Sequence, residues 1–340
     1  MQAYQIPSFY SLYFFQTFAN LHILFKFMLY NITKSFKGSK TMTKKQTLSV
    51  TLKLSALLLL FATANLQTIA MLTAYEPDTS YFSAGSPFPP LAVLCAVLAA
   101  LCGIVHVCVS DASQINVAPF SLLASLISGT CFLLCGIILS LCSTLNWSLA
   151  TALFFFLAAA YSFLSGSVFA KKYPAAVALL GFTAVIACAL GNMYCYFDIS
   201  LEMNAPAKVL VQTSLLFSMI YYTGEIRFLL GREKTRFYQI LAFCTLAANV
   251  LCVTALPVAY FKGAFCRIDY LGLSIASLGV FLSILIRLLT VSKSHENIPK
   301  CQENEAADTE PCAAPPATDI EEPLPCNDPD TEEQKETDEE

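Results

Sequence analysis

One stretch of this chain places groups together that could do chemistry. Ser214, Ser218, Tyr221 and Glu225 fall at i, i+4, i+7 and i+11, so in a helix all four share one face. The residues around them are largely apolar, and Glu225 is the one acid that falls within a membrane segment, toward its inner end. A charge in the middle of a membrane helix costs about 2.5 to 3.5 kcal/mol on insertion scales, so it needs a partner or a wet cavity. Arg287 is the natural partner. It lies 18 residues after Asp269, as Glu225 lies 17 after Lys208, and both segments run in the same direction. The two charges therefore reach similar depth, and a Glu225 to Arg287 contact is predicted. Two readings of the pair stand side by side. In one it locks two helices together near one face of the membrane. In the other Glu225 is a proton or cation site, aided by Tyr221 and by polar groups such as Asn65, Gln67 and Asn249.

Other chemistry is poorly represented. There is no HExxH pair, no Gly-x-x-x-x-Gly-Lys phosphate loop and no Gly-x-Ser-x-Gly elbow, and the three histidines, His22, His106 and His295, are scattered. His106 reads as a packing or interfacial residue. No enzymatic activity, cofactor or metal is expected, and nothing points to nucleic acid.

The elements that must hold this face are membrane helices. The chain is 56% hydrophobic and only 13% charged, against about 25% charged in soluble domains. Apolar stretches run near residues 50 to 73, 90 to 110, 117 to 142, 146 to 170, 173 to 194, 208 to 230, 237 to 260 and 268 to 292. Each is about the 20 residues needed to cross a hydrocarbon core of about 30 Å, and lipid leaves backbone groups no partners outside a helix. The expected fold is all-α: a polytopic bundle of about eight transmembrane helices, with the polar face on the sixth span and Arg287 on the eighth.

Charge then orients the bundle. With eight spans, fifteen Lys and Arg fall on one side and three, Lys208, Lys262 and Arg267, on the other, setting aside Lys26 and Lys335. Basic loops are retained in the cytoplasm, so both ends of the membrane domain are expected there. The loops with Glu76, Asp78 and Tyr81, and with Asp198 and Glu202, then face outward. Gly231 is placed to close the sixth span ahead of a basic turn, Arg232 to Arg236, suited to lipid headgroups.

The two ends of the chain differ from its body. Residues 1–41 are rich in Phe, Tyr, Lys, Asn and Ile, and read either as an extra hydrophobic segment or as a mis-assigned start ahead of Met42. Residues 42–292 form the membrane domain. Within it Lys44, Lys45 and Lys53, the run Leu54 to Phe61 and Ala62-Thr63-Ala64 resemble the parts of a secretory signal, but the apolar run continues to Leu72, which favours an uncleaved anchor. Residues 293–340 form an acidic tail. Residues 296 to 340 carry 16 acids against 2 Lys, whereas residues 1 to 295 carry 18 Lys and Arg against 8 acids. Such a tail cannot bury enough apolar surface to offset ordering and is expected to be disordered. It is a solvated charge run, or a segment that folds back on the basic loops within about a Debye length of 8 Å.

Two further patterns concern packing. Ala158, Ser162, Gly166 and Ala170 recur every four residues in the fourth span, a small-residue stripe that lets another helix approach. Most of the fourteen cysteines lie in spans and act as small apolar residues. Cys142, Cys195 and Cys266 fall near outer helix ends, where a disulfide between two of them is permitted. The expected partners are the bilayer, a small solute or ion, and a soluble protein recruited by the tail. A small-solute or ion permease, proton-coupled through Glu225, leads; a membrane scaffold or sensor acting through its tail competes.

Overall fold

A computed structural model describes residues 44–77, 79–110, 121–142, 146–231 and 235–290. The N-terminal extension, Asp78, most of the basic turn after Gly231 and the acidic tail lie outside them. The described chain forms α1 (Lys44–Thr73), a small hairpin of β1 (Tyr75–Glu76) and β2 (Tyr81–Phe82), α2 (Phe88–Val109), α3 (Leu122–Leu141), α4 (Asn146–Ser165), the short α5 (Val168–Lys172), α6 (Pro174–Phe197), α7 (Pro206–Leu229), α8 (Thr235–Phe261) and α9 (Ile268–Thr290). Seven of the long helices are long and apolar enough to cross a membrane. The eighth, α7, is 24 residues long but does not reach that apolarity, because it carries Lys208, Glu225, two tyrosines and two serines. The architecture is that of a multi-pass helical membrane protein.

Local signals account for the helix boundaries. Proline sits in the first turn of α2, α6 and α7, where its missing N–H leaves no bond unmade. Beyond α7, Gly231 takes a left-handed φ of 68° and donates its N–H to the Phe228 carbonyl. Gly263 does the same after α8 at φ 72°. Antiparallel pairing follows from the short connections: α1 packs on α2, α3 on α4, α6 on α7, α7 on α8 and α8 on α9.

Contacts between non-consecutive helices close the bundle. α3 packs along α9 and α4 along α6, so α3, α4, α6, α7, α8 and α9 form a ring, with α7 also touching α9. The α1–α2 hairpin lies against α8. Burial follows this order: the most apolar windows of α8 and α9 are 67% and 61% buried, against 28% for α1 and α2, which mark the periphery. Leu91, Val93, Leu94, Val97 and Leu98 of α2 are exposed on its outer face, as lipid-facing residues are.

Glycine permits the closest approaches. A Cβ on Gly279 of α9 would lie 2.6 Å from the Cβ of Cys131 on α3, and one on Gly129 of α3 would lie 2.6 Å from the Phe163 ring on α4. The small-residue stripe predicted for the fourth span is shorter than expected. α4 ends at Ser165, so only Ala158 and Ser162 belong to it; Gly166 lies in the break, where a Cβ would meet Ser125 at 2.5 Å, and Ala170 belongs to α5. Ser165 and Ser167 donate to the backbone carbonyls of Ser162 and Leu164, competing with the helical pattern where the helix stops. Nor do Cys142, Cys195 and Cys266 pair. All three are free, with Cys195 buried inside α6 and Cys266 exposed.

Because α3 and α9 meet backbone to backbone at Gly279, Gly279→Val should overpack the contact and destabilise the protein by about 1 to 3 kcal/mol. Leu179→Val, on a face where Leu179 is 72% exposed, should leave thermal melting in detergent unchanged.

Candidate functional site

Helix α7 presents its polar side chains to the centre of the ring, and its neighbours answer them in three groups. Nearest its C-terminus, Arg287 Nη1 on α9 donates to Glu225 Oε1 at 2.6 Å, and both side chains are almost fully buried. The same Nη1 lies 3.1 Å from the Tyr221 hydroxyl and 3.0 Å from that of Tyr238 on α8. These two hydroxyls are themselves 2.5 Å apart. Three helices thus converge on one guanidinium. Lys53 of α1 donates to the Leu288 carbonyl at 2.8 Å, placing a second cation at the end of α9.

A narrow polar crevice adjoins the pair. Ser125 and Ser128 of α3, Tyr161, Ser162 and Ser165 of α4, Tyr222 and Glu225 of α7, and Ser283 and Arg287 of α9 line about 190 Å³ of space between atoms, too constricted for a water molecule without movement of its walls. Its hydroxyls touch at the long end of hydrogen bonding: Ser125 to Ser165 at 3.2 Å, Ser128 to Tyr222 at 3.3 Å and Ser128 to Ser162 at 3.4 Å. Buried atoms here without a hydrogen-bond partner include Glu225 Oε2 and the Tyr161 hydroxyl. Such atoms are exceptional in folded proteins, since burying an unsatisfied polar group costs about 1 to 3 kcal/mol.

Further along α7, Ser214 and Ser218 leave the Glu225 group and join another. Ser214 donates to Asn249 Oδ1 on α8 and lies 2.7 Å from Ser277 on α9, while Ser218 bonds the Ser214 carbonyl at 2.8 Å. The shared face is real, but its lower and upper halves meet different partners. Asn249 belongs to this second cluster. Asn65 instead turns back to the Phe61 carbonyl, and Gln67 is buried on α1, which packs on α2 and α8.

The third group lies at the opposite end of the bundle. Arg267, just ahead of α9, bonds Asp269 through Nε and Nη2 at 3.0 and 2.6 Å and lies 3.0 Å from Asp198 at the end of α6. Tyr194 donates to Asp269 at 2.7 Å, Tyr270 to Asp198 at 3.0 Å, and Lys208 to the Asp198 carbonyl at 2.8 Å. Arg267 also reaches Ser200. The β1–β2 hairpin is tied to the same region, with the Tyr81 hydroxyl on Glu202 at 2.7 Å. Burial raises the Asp198 carboxyl, but hydrogen bonds from Ser200 and the Arg267 charge outweigh it and hold the group below its ordinary 3.8.

The chain matches no protein-family model, no curated protein and no solved structure. Among the described residues no three His, Cys, Asp or Glu side chains converge as a metal site. His106 bonds the Ser49 carbonyl at 2.7 Å and packs edge-on against Phe243, a junction of α1, α2 and α8.

Sequence reasoning missed Tyr238 and the Arg267 cluster, and of the crevice serines it named only Ser162, as a packing residue. Ser125 with Ser128, and Ser162 with Ser165, are i, i+3 pairs that put hydroxyls on one face of α3 and of α4. That spacing was the available signal. Tyr238 lies one turn into α8, and nothing in its spacing points to Arg287.

Two measurements follow. Glu225→Leu alone strands a buried guanidinium and should lower stability by about 3 to 5 kcal/mol, whereas the double variant with Arg287→Leu should recover most of that loss in thermal melting. At the other end, Asp198 has a lowered folded value, so its contribution is complete above about pH 4 and is lost as pH falls through that value. Arg267→Ala should therefore show a smaller loss of melting temperature between neutral and strongly acidic pH than the parent.

Proposed function

We propose that this protein is a small-solute or ion permease coupled to protons through Glu225, with Arg287, Tyr221 and Tyr238 holding the carboxylate. One observation carries this reading: a buried carboxylate whose second oxygen has no partner, at the centre of a ring of apolar helices. A pair built only to lock helices would satisfy both oxygens, because each unmet one weakens the lock. Polar groups along α7, from Lys208 past Ser214 and Ser218 to Tyr221 and Glu225, supply a wettable face through an otherwise apolar bundle.

Residues 42–292 carry the transport site in this reading, preceded by residues 1–41 and followed by the acidic residues 293–340, both of which lie outside the described residues. The membrane is the cell membrane, with both ends of the domain in the cytoplasm, following the fifteen basic residues on that side. The Glu225 end of the bundle then faces inward. The excess of acids in the last 45 residues favours a second reading, in which the protein is a scaffold or sensor whose tail recruits a soluble partner. Ser218 and Ser214 belong to transport in the first reading and to packing in the second.

Proton movement separates them. In proteoliposomes holding a pH-sensitive dye, an imposed inward-directed pH gradient with candidate small solutes supplied outside should drive dye acidification through the full chain, beyond that of protein-free vesicles given the same solutes. Glu225→Gln should abolish it, and a chain lacking residues 296–340 should retain it. Flux that survives Glu225→Gln, or that disappears with the tail, contradicts the coupling role.

A further inference from the structure

The charges around Glu225 constrain what a coupled solute can be. Arg287 is buried and stays protonated under ordinary conditions, and the carboxylate of Glu225 is the anion that meets it. The other titratable groups facing the pair are phenols: Tyr221 and Tyr222 from α7, Tyr238 from α8 and Tyr161 from α4. Cys188 of α6 lies beside Tyr222, α3 lines the crevice with Ser125 and Ser128, and Lys53 of α1 stands at the Leu288 carbonyl. When a proton from solvent settles on Glu225 Oε2, the pair becomes one uncompensated buried cation. A lone buried charge is expensive, and the site then attracts an anion to replace the one it lost.

The crevice beside the pair is equipped for that replacement. Its walls are hydroxyl groups, from Ser125, Ser128, Ser162 and Tyr161 among others, and hydroxyls can turn to donate to an anion. Their mutual contacts are the long ones of 3.2 to 3.4 Å, the weakest bonds to part when the crevice opens. The unpartnered Tyr161 hydroxyl already has a donor to offer. A guanidinium fork among hydroxyls suits a planar carboxylate, and a crevice too constricted for a water until its walls part admits only a small one.

We infer that the hydroxyl-lined crevice among α3, α4, α7 and α9 binds a small monocarboxylate against Arg287, together with a proton on Glu225. The inference rests on the proton-coupled reading and names its substrate class. Carboxylate and proton enter as a neutral pair, so the buried charge is the same before and after binding. Glu225 returns to Arg287 when the carboxylate leaves and the proton is released.

Calorimetric titration of the detergent-solubilised full chain with sodium acetate tests this, run in two buffers of different ionisation enthalpy. The expected result is uptake of about one proton per acetate and, over the pH range where that uptake is measured, an affinity that tightens about tenfold for each unit of pH lowered. Glu225→Gln, which mimics the protonated acid, should bind acetate with no proton uptake and no pH dependence. Sodium chloride should give no comparable heat. No acetate binding, binding without proton uptake by the parent, or equal binding of chloride overturns the inference, and the two-buffer measurement on the parent decides it even if the variant does not fold. A negative titration with intact proton flux removes the substrate class alone; acetate binding without flux removes the permease reading instead.

Discussion

A carboxylate and a guanidinium buried among apolar helices dominate this molecule. Neither ion is tolerated alone in such surroundings, so α7 and α9 are obliged to bring Glu225 and Arg287 to the same depth and to within 2.6 Å. Tyr221 and Tyr238 add hydroxyls to the same guanidinium, which draws α8 into the arrangement. The most buried helices, α8 and α9, are those that meet at this group. Packing elsewhere then follows the ring: α3 presses on α9 at Gly279, and α4 follows α3 through serines and glycines.

Both ends of the bundle hold a charged knot, and the two differ in character. The Arg267 cluster is fully answered: two carboxylates, two tyrosine hydroxyls, Ser200 and the neighbouring backbone take up its hydrogen bonds. Such a cluster ties the α6–α7 loop to the start of α9 and gives one end of the bundle a fixed geometry. The Glu225 group leaves an oxygen unanswered next to a crevice whose hydroxyls only loosely engage one another. One knot is complete and the other holds buried polar atoms without partners. Between them the Ser214, Asn249 and Ser277 cluster keeps α7, α8 and α9 in register.

Much of this was legible in the chain because membranes impose simple rules. Lipid demands long apolar helices, so eight long helices could be located, and matching depths of two charges were enough to pair Glu225 with Arg287. The boundaries were less secure where polar backbone competition decides them: serines around Gly166 stop α4 five residues early and assign Ala170 to another helix. The crevice was illegible for a different reason. Its walls come from four helices, and an i, i+3 pair of serines reads as easy packing until the facing helices are known. The Arg267 cluster joins residues 198, 200, 267 and 269, close in space and far apart in sequence, and it was invisible to a search for charges within spans.

The central claim is that Glu225 is a protonation site inside the closed bundle. Infrared difference spectroscopy of the full chain in lipid bilayers, between alkaline and acidic conditions, tests it most directly. The parent protein should gain a carbonyl band at the high wavenumber of a protonated carboxyl in apolar surroundings, and Glu225→Gln should lack that band while keeping those of solvent-exposed acids. A parent spectrum without the band, or the same band in both proteins, would contradict the account.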